Sequence, residues 1–191
     1  MKIQSSFQIE EHLNLKQIEL QDAAAIFNII CQQRDYLGRW LPFAYSTLQV
    51  SDSECFIQSL ADKPLEQVFT IRYDDELIGL ISFHHVDYAN LRLEIGYWIS
   101  QFHQGKGIVT KALARLLNYA FFDLHIHRVT IKCAAGNLPS KGIPRRLGFQ
   151  LEGIERESLL LSTGEFSDFE VYSLLSQDWI PHHMQDEVNY G

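Results

Sequence analysis

A glycine-rich stretch in the middle of the chain, residues 104–110, most constrains what this sequence can fold into. It follows an apolar run at residues 94–99 and opens a long amphipathic segment, so the pattern predicts a strand, a tight turn and the start of a helix. Glycine lets the backbone approach a ligand closely, and the first N–H groups of a helix have no partner within it. Such a turn is suited to holding a phosphate group. The candidate residues are Gln104, Gly105, Lys106, Gly107, Ile108, Val109 and Thr110.

Three kinds of phosphate-binding loop could account for this turn, and two of them fit poorly. A Walker loop requires Lys followed by Ser or Thr, but Lys106 is followed by Gly107. A dinucleotide-binding fingerprint has a third glycine where this chain has Thr110. The third kind is the acetyl-CoA pyrophosphate loop of the GNAT N-acetyltransferases, Q/R-x-x-G-x-G/A. The stretch resembles it at Gln104 and Gly107, while Val109 stands in place of the small last residue and is expected to narrow the loop slightly.

Other segments strengthen this resemblance. In order and spacing they are similar to motifs of the Rim-type branch of that superfamily, the ribosomal-protein N-acetyltransferases and their relatives. The resemblance covers roughly residues 10 to 180. The segments are residues 94–99 (EIGYWI), 137–140 (NLPS), 143–149 (IPRRLGF), 151–153 (LEG) and 168–175 (DFEVYSLL).

The periodicity of the apolar residues predicts a mixed α/β domain without internal repeats. A helix cap is expected at Asp22, and a capping box at Ser51 and Glu54. Strands are predicted at residues 12–18, 67–73, 77–86, 91–99, 128–135, 149–159 and 169–175, and helices at 23–34, from 51, at 109–124 and from Pro139 to before Gly148.

The resemblance implies the GNAT fold, with a central mixed, mostly antiparallel sheet of about seven strands flanked by about four helices. That sheet is splayed between its fourth and fifth strands, and the pantetheine arm of acetyl-CoA enters the gap. A single acetyltransferase domain is therefore expected over residues 1–180, followed by a polar, mobile tail at residues 181–191.

Composition narrows the classes of protein further. The chain carries 16 Lys and Arg against 24 Asp and Glu, a formal net charge of −8, which disfavours direct nucleic-acid binding. The acidity is compatible with an amine substrate or with solubility alone. Cys31, Cys55 and Cys133 lie far apart without metal-ligand spacing, so we expect free, mostly buried thiols, no metal and a cytoplasmic location. No apolar run of about 18 residues and no signal-peptide core are present, so no membrane association is expected.

The implied reaction moves an acetyl group from acetyl-CoA, as co-substrate, to a primary amine by direct attack in a ternary complex. The expected acceptor is the N-terminal α-amine of a protein, such as a ribosomal protein, and the alternative is a small amine (a polyamine, an amino acid or an antibiotic). An α-amine has a pKa of about 7.7–8.0, against about 10.4 for lysine, so it needs only a modest base. Residues 34–53 form the expected acceptor side, where the sequence carries no readable code.

The resemblance also assigns roles to individual residues, each beside a structural alternative. Glu94 is the first candidate for general base or amine anchor, and otherwise an ion-pair partner of Arg92. Ser140 matches a serine proposed to assist the leaving thiolate, and otherwise caps a helix. The expected contacts to the thioester carbonyl and the pantetheine come from backbone amides near Trp98 and Ile99 and from the side chain of Asn137, which is otherwise a turn residue.

The identity of the general base stays open. Some Rim-type enzymes carry a glutamate about ten residues after the G-F pair, where this chain has Leu159. Glu157 lies two residues away and is expected on the same strand face. His84 is a further candidate, with His85 on the opposite face, and a water relay is another.

Two other kinds of protein remain as alternatives. The missing glutamate permits a non-catalytic acyl-CoA sensor, and the glycine loop permits, less well, a nucleotide-binding protein. A homodimer is possible. Metal binding by His182 and His183 is not expected, because no cysteine or carboxylate stands near them at ligand spacing.

Overall fold

The computed structural model describes residues 4–179, so the predicted tail at residues 181–191 lies outside the described part of the chain. The strands are β1 (Ser6–Glu10), β2 (Leu13–Gln17), β3 (Gln67–Tyr73), β4 (Glu76–Asp87), β5 (Arg92–Ile99), β6 (Arg128–Ala134), β7 (Gln150–Leu160) and β8 (Phe166–Leu175). The helices are α1 (Ala23–Gln32), α2 (Arg34–Gly38), α3 (Phe43–Ser46), α4 (Val50–Ser59), α5 (Ile108–Asn118) and α6 (Leu138–Arg146).

The eight strands form one mixed sheet in the order β1-β2-β3-β4-β5-β6-β8-β7. Neighbouring strands are antiparallel except β5 and β6. The sheet therefore has one strand more than expected. The additional strand, β1, alternates only Phe7 and Ile9 with polar residues, and Phe7 is buried against Phe69 and Tyr119. The period-2 pattern was present in the sequence, but it is short.

The sheet opens between β5 and β6, which confirms the expected splay. The two strands pair in parallel only where residues 92–94 lie opposite residues 128–130. Beyond Glu94, β5 continues to pair with β4 as far as Ile99 but no longer with β6. Because β1 adds one strand, the gap lies between the fifth and sixth strands rather than the fourth and fifth. The glycine loop and α5 connect the two strands that border the gap.

Each face of the sheet carries its own hydrophobic cluster. The larger cluster lies under α5, whose buried stripe includes Ala112, Leu113, Leu116 and Leu117. The α5 helix runs directly into a π-helical turn, Tyr119–Asp123, which buries Tyr119 and Phe121 in the same cluster. The smaller cluster lies on the opposite face, beneath α1 and the short helices that follow it.

Local details differ from the expectations in three places. The capping box of α4 uses Gln49 and Asp52, not Ser51 and Glu54. Asp22 does not cap α1 with its side chain; its carboxylate binds Arg72 at 2.5 Å and accepts from the Glu19 N–H at 2.9 Å in the capping box of the preceding 3-10 turn. The thiols are free, but the expectation that most are buried is wrong, since Cys133 is buried whereas Cys31 and Cys55 are exposed. Within residues 4–179, the helices are too short or too polar to cross a membrane.

Candidate active site

The glycine loop has the backbone geometry that its sequence requires. Gly105 and Gly107 have φ angles of +72° and +74°, a region that residues with side chains adopt only with strain. A Cβ at either position would meet no protein atom within 4 Å, so both glycines face open space. The first bond within α5 runs from the Lys111 N–H to the Gly107 carbonyl at 3.0 Å. The N–H groups of residues 108–110 precede this bond, which leaves them available for an anion.

The side chains around the loop divide between core and solvent. Ile108 and Val109 are buried in the larger hydrophobic cluster, so Val109 adds bulk to the core rather than to the loop. Lys106 is exposed at the loop, and Arg146 donates from Nη2 to Thr110 Oγ1 at 3.2 Å. The loop therefore combines free backbone donors with positive charge, which suits a pyrophosphate.

Gln33, between α1 and α2, and Tyr36 of α2 tie the acceptor side to the start of the loop, and sequence reasoning missed both. Gln33 is buried between α1 and α2, where its Nε2 donates to Ser100 Oγ at 2.9 Å and its Oε1 accepts from the Gln101 N–H at 2.8 Å. Tyr36 donates to the Ile99 carbonyl at 3.1 Å and accepts from Gln104 Nε2. Burial raises the pKa of Tyr36 to about 12, so the phenol stays protonated and able to donate. Single polar residues in a helix carry no signal of such contacts in the sequence.

On the other side of the gap, Ser140 lies in a small polar cluster with Tyr97 and Cys133. The Tyr97 hydroxyl donates to the Ser140 carbonyl at 3.0 Å and accepts from Ser140 Oγ at 3.4 Å. Cys133 Sγ lies 3.4 Å from the same Oγ. The cap of α6 is Asn137, whose Oδ1 accepts from the Ser140 N–H at 3.3 Å, so Ser140 Oγ is not itself a cap.

The protonation of this cluster follows from its burial. Burial raises the pKa of Tyr97 well above its ordinary value, and it also raises the pKa of Cys133. Both groups are therefore neutral near pH 7. The wall of the gap offers a hydroxyl, a phenol and a thiol as proton donors, and no anion is built into this cluster.

Glu94 lies where β5 begins to separate from β6. It is half-buried, and its cross-strand neighbour on β4 is His84. The alternative ion pair with Arg92 does not form, because Arg92 binds Asp87 at 3.1 Å. Within residues 4–179, Glu94 takes part in no ion pair with a basic side chain. Trp98 packs against the smaller hydrophobic cluster on this same face.

Glu157 does not occupy the strand position expected from the sequence. The pairing of β7 with β8 is irregular between Glu155 and Leu159, and Glu157 has a φ of +49° within this bulge. The period-2 rule, which would put Glu157 and Leu159 on one face, fails across such a bulge. Glu157 is exposed, and its N–H binds Asp168 Oδ1 at 2.8 Å.

An open depression of about 600 Å³ lies beside the short helices of the expected acceptor side; it is lined by Pro42, Tyr45, Ser46, Ser162 and Thr163. The Ser162 hydroxyl, in the turn between β7 and β8, donates to the Gly38 carbonyl at 3.2 Å. Trp40 lies against Gly136, where an added Cβ would approach the indole to 2.7 Å. Helices α2 and α3 therefore lean across the sheet towards β6 and the β7–β8 turn. Within the described residues, no group of three His, Cys, Asp or Glu side chains is arranged to hold a metal ion.

Comparison with known proteins agrees with this geometry. The sequence model of the family described as "Acetyltransferase (GNAT) domain" matches residues 12–150. The putative ribosomal N-acetyltransferase YdaF of Bacillus subtilis is 35% identical over 178 residues, which cover 90% of this chain and 95% of that protein. The ribosomal-protein-serine acetyltransferase of Escherichia coli is 29% identical over 171 residues, covering 88% and 95% respectively.

A solved structure agrees as well. The microcin C7 self-immunity acetyltransferase MccE, in complex with acetyl-CoA and AMP, superimposes with a TM-score of 0.83 at 28% identity, covering 90% of this chain and 96% of that chain. The family model spans most of the chain, and the relatives match it over nearly their whole lengths. The chain therefore belongs to the GNAT family and is an N-acetyltransferase.

Proposed function

We propose that this enzyme transfers the acetyl group of acetyl-CoA to the N-terminal α-amine of a protein, such as a ribosomal protein, by direct attack in a ternary complex. The observation that carries the proposal is the glycine loop, with two positive-φ glycines and unpaired helix N–H groups beside an open gap in the sheet. The names of the B. subtilis and E. coli relatives support the choice of acceptor.

Acetyl-CoA would be held by the backbone of the loop and by the walls of the gap. Residues 104–110 would bind the pyrophosphate, with Lys106 adding charge. The pantetheine would lie between β5 and β6, where the edge of β5 that faces β6 is no longer paired beyond Glu94. Backbone amides near Trp98 and Ile99 and the side chain of Asn137 would contact its amides and the thioester carbonyl. One good backbone donor to the developing oxyanion contributes about 3–4 kcal/mol to lowering the barrier.

The acceptor amine would approach from the face that carries Glu94. A half-buried carboxylate without a protein cation is suited to hold the incoming ammonium group. Alignment of amine and thioester contributes up to about 7–11 kcal/mol in favourable cases, so holding the amine is a large part of the task. Ser140 would donate to the leaving thiolate, with the Tyr97 phenol beside it as a second donor.

A second candidate acceptor is a small molecule that carries an amine and a nucleotide. MccE, whose structure contains AMP, favours this alternative. Phe43 and Tyr45 are exposed beside the depression, and the half-buried indole of Trp40 lies nearby, so aromatic side chains are available for stacking on a base.

The experiment combines binding and turnover. Calorimetric titration with acetyl-CoA, CoA and ATP should give micromolar binding of the first two and none of ATP. Mass spectrometry should then detect one added acetyl group on peptides that begin with Ser, Ala, Thr or Gly, and none on the same peptides with a blocked N-terminus. Spermidine, free amino acids and a stable aminoacyl-adenylate analogue are assayed in parallel. Mass detection is preferable to thiol reagents, because Cys31 and Cys55 are exposed.

The outcomes separate the alternatives. Acetylation of the adenylate analogue alone would identify the acceptor as a small molecule rather than a protein N-terminus. Binding of acetyl-CoA without turnover on any amine would indicate an acyl-CoA sensor. Absence of CoA binding would contradict the proposal altogether. In an active enzyme, Glu94→Gln should lower turnover while leaving acetyl-CoA affinity close to that of the wild type.

A further inference from the structure

A polar string of three side chains lies on the same face of the sheet as Glu94. Ser82 Oγ and His84 Nε2, both on β4, are 2.6 Å apart. His84 Nδ1 faces Glu66 Oε2 at 3.6 Å, from the segment just before β3. Ser82 is buried, while the His84 and Glu66 side chains are 34% and 21% exposed. A hydroxyl, an imidazole and a carboxylate in this order form a hydrogen-bonded path for a proton.

Gly96 leaves room for this string beside the gap. Ser82 lies opposite Gly96 on β5, and its Oγ is 3.4 Å from the Gly96 carbonyl. The His84 ring covers Gly96 so closely that an added Cβ would lie 3.2 Å from Cδ2 and Nε2. Gly96 also follows the point at which β5 separates from β6. No side chain of β5 therefore stands between Ser82 and the gap at this position.

We propose that Ser82, His84 and Glu66 form the proton relay that takes up the proton lost by the acceptor amine. This inference rests on the proposed acetyl transfer, whose general base the sequence did not identify. The neutral tautomer with its proton on Nδ1 satisfies both neighbours: Nδ1–H points at Glu66, and Nε2 accepts from the Ser82 hydroxyl. Ser82 is the member that faces the amine, directly or through one water, and His84 acts through it.

The step balances without a co-reactant. The α-amine, whose pKa is about 7.7–8.0, first gives its ammonium proton to solvent and attacks as the neutral amine. Its nitrogen then forms a bond to the acetyl carbon as the C–S bond of the thioester breaks. The N–H proton passes to Ser82 Oγ while the Ser82 proton passes to His84 Nε2. The imidazolium that results faces the carboxylate of Glu66 and releases its proton to solvent at its exposed edge. The leaving thiolate takes a separate proton from Ser140, the donor proposed above, which is reprotonated by solvent.

The charges around His84 favour this use. Glu66 faces it from the β3 side, and Glu94 is its cross-strand neighbour on β5. Lys63 Nζ lies 3.6 Å from the same Glu66 Oε2 and offsets part of its charge. Two carboxylates therefore flank the ring, which stabilises an imidazolium at the moment it forms. Glu94 and the relay therefore have different roles: Glu94 holds the amine, and the relay removes its proton.

The test compares His84→Gln with His85→Gln, which lies next to it on β4 and is exposed where the strand becomes irregular, with a φ of +48°. His84→Gln should lower kcat about 10- to 100-fold, in the range of general-base contributions. It should also reduce the acid limb of the kcat–pH profile to the titration of the acceptor amine alone, and leave the calorimetric Kd for acetyl-CoA within about twofold of the wild type. His85→Gln should change neither. Glu66→Gln should lower kcat less and move the acid limb to lower pH, because the imidazolium loses the carboxylate that faces it.

A structural role of His84 gives a different result. A uniform fall in kcat, with the acid limb unchanged in His84→Gln and in Glu66→Gln, would overturn the relay. Failure of the proposed function is recognised separately, because the wild type would then bind no acetyl-CoA or acetylate no amine. In that case the imidazole Cε1–H signal of His84 is followed by NMR from pH 5 to pH 9 in wild type and Glu66→Gln. If the His84 ring does not titrate, or if its titration curve is the same in wild type and in Glu66→Gln, proton uptake by the relay is excluded.

Discussion

The cofactor side of the sheet presents main-chain groups to its ligand, whereas the acceptor side presents side chains. On the cofactor side, which comprises β5, the glycine loop, α5, β6 and α6, the loop offers N–H groups of residues 108–110 beside two glycines at positive φ. On the acceptor side, which comprises α1 to α4, the β3–β4 face and the β7–β8 turn, the functional groups are side chains such as His84 and Trp40, together with Glu94, which β5 presents to this side. These side chains are carried by two different strands and by the segment between α2 and α3.

This difference explains why one side can be recognised in a sequence and the other cannot. A ligand that is bound through the backbone demands glycine at defined positions, and this requirement survives as a motif. A ligand that is bound through side chains can be held by many residue combinations at many positions. Substitutions on either side test how strict this division is, and the largest effect is expected in the glycine loop.

Gly107→Val should weaken acetyl-CoA binding about 100-fold or more, because a β-branched residue disfavours φ near +74° and its side chain would stand where the phosphate approaches. An added Cβ meets no protein atom within 4 Å, so the fold should survive. Calorimetry with acetyl-CoA measures the loss, and thermal unfolding monitors the fold.

The matched control is Gly164→Val. Gly164 has a φ of +85°, also in open space, but lies in the β7–β8 turn away from the glycine loop. Gly164→Val should introduce the same backbone strain but leave the affinity for CoA unchanged. Equal affinity losses in the two variants would mean that strain, and not the loop, explains the effect of Gly107→Val.

Lys141→Met should destabilise the protein by about 2–3 kcal/mol, because it leaves the Glu170 carboxylate without its buried cation. The Lys141 and Glu170 side chains are 9% and 13% exposed, and Nζ lies 2.7 Å from Oε1. Burial raises the pKa of Glu170, but hydrogen bonds from Lys141 and Tyr172 outweigh burial and lower it overall. The expected loss is moderated because Arg145 remains 3.4 Å from the same carboxylate.

Urea unfolding measures this change, and Lys132→Met is the control. Lys132 pairs with Glu155 at 2.8 Å on the same sheet, but with side chains 31% and 42% exposed, so its loss should cost less than about 1 kcal/mol. A large effect of Lys141→Met would show that the cofactor side also depends on side chains, because α6, which carries Ser140, would then rely on one buried ion pair. Equal effects would show that burial of the Lys141 pair adds nothing.

Apolar alternation in the sequence predicts seven of the eight strands, β2 to β8, and the resemblance to the GNAT fold implies the gap. The sequence does not predict the polar contacts that cross between elements. Gln33 reaches Ser100 and Gln101, 67 and 68 residues along the chain, and neither end carries a local pattern. Such contacts follow from tertiary packing alone.

The candidate catalytic groups show the same limit. Glu157 was expected on one face with Leu159 by period-2 counting, but a bulge with a positive φ breaks the count. His84 could be placed on β4, yet its neighbours Ser82 and Glu66 become meaningful only once the strand register sets the ring across Gly96. A bulge or a cross-strand contact is a property of the assembled sheet, and a single sequence does not record it.

Tyr36→Phe should weaken acetyl-CoA binding about 3- to 10-fold, close to the cost of one or two hydrogen bonds. The variant removes the donor to the Ile99 carbonyl and the acceptor of Gln104 Nε2 while retaining the aromatic ring. Calorimetry of acetyl-CoA measures the change, with Tyr45→Phe, an exposed phenol on α3, as control. An unchanged Kd in Tyr36→Phe would mean that the two sides work independently, whereas a loss would show that the acceptor side helps to hold the loop.

The smallest effect is expected at Glu152, where surface charges join three strands at the far edge of the sheet. Arg128 on β6 binds both carboxylate oxygens, and Ser173 on β8 donates to one of them at 2.8 Å. The hydrogen bonds from Arg128, then that from Ser173, lower the pKa of Glu152 from 4.5 to about 2. Since the carboxylate is 42% exposed, solvent screening limits its contribution to about 0.5–1 kcal/mol.

A pKa that is lower in the folded state stabilises the protein fully above the unfolded value near 4.5, and the benefit is lost as the pH falls towards 2. Urea unfolding of wild type and Glu152→Gln should therefore differ most near pH 7 and converge as the pH falls through this window. The Kd for acetyl-CoA should stay unchanged, because the cluster lies away from the glycine loop. A stability difference that is independent of pH would mean that Glu152 acts through packing rather than charge. A change in CoA affinity would instead mean that cofactor binding depends on this surface charge cluster as well as on the backbone geometry of the glycine loop.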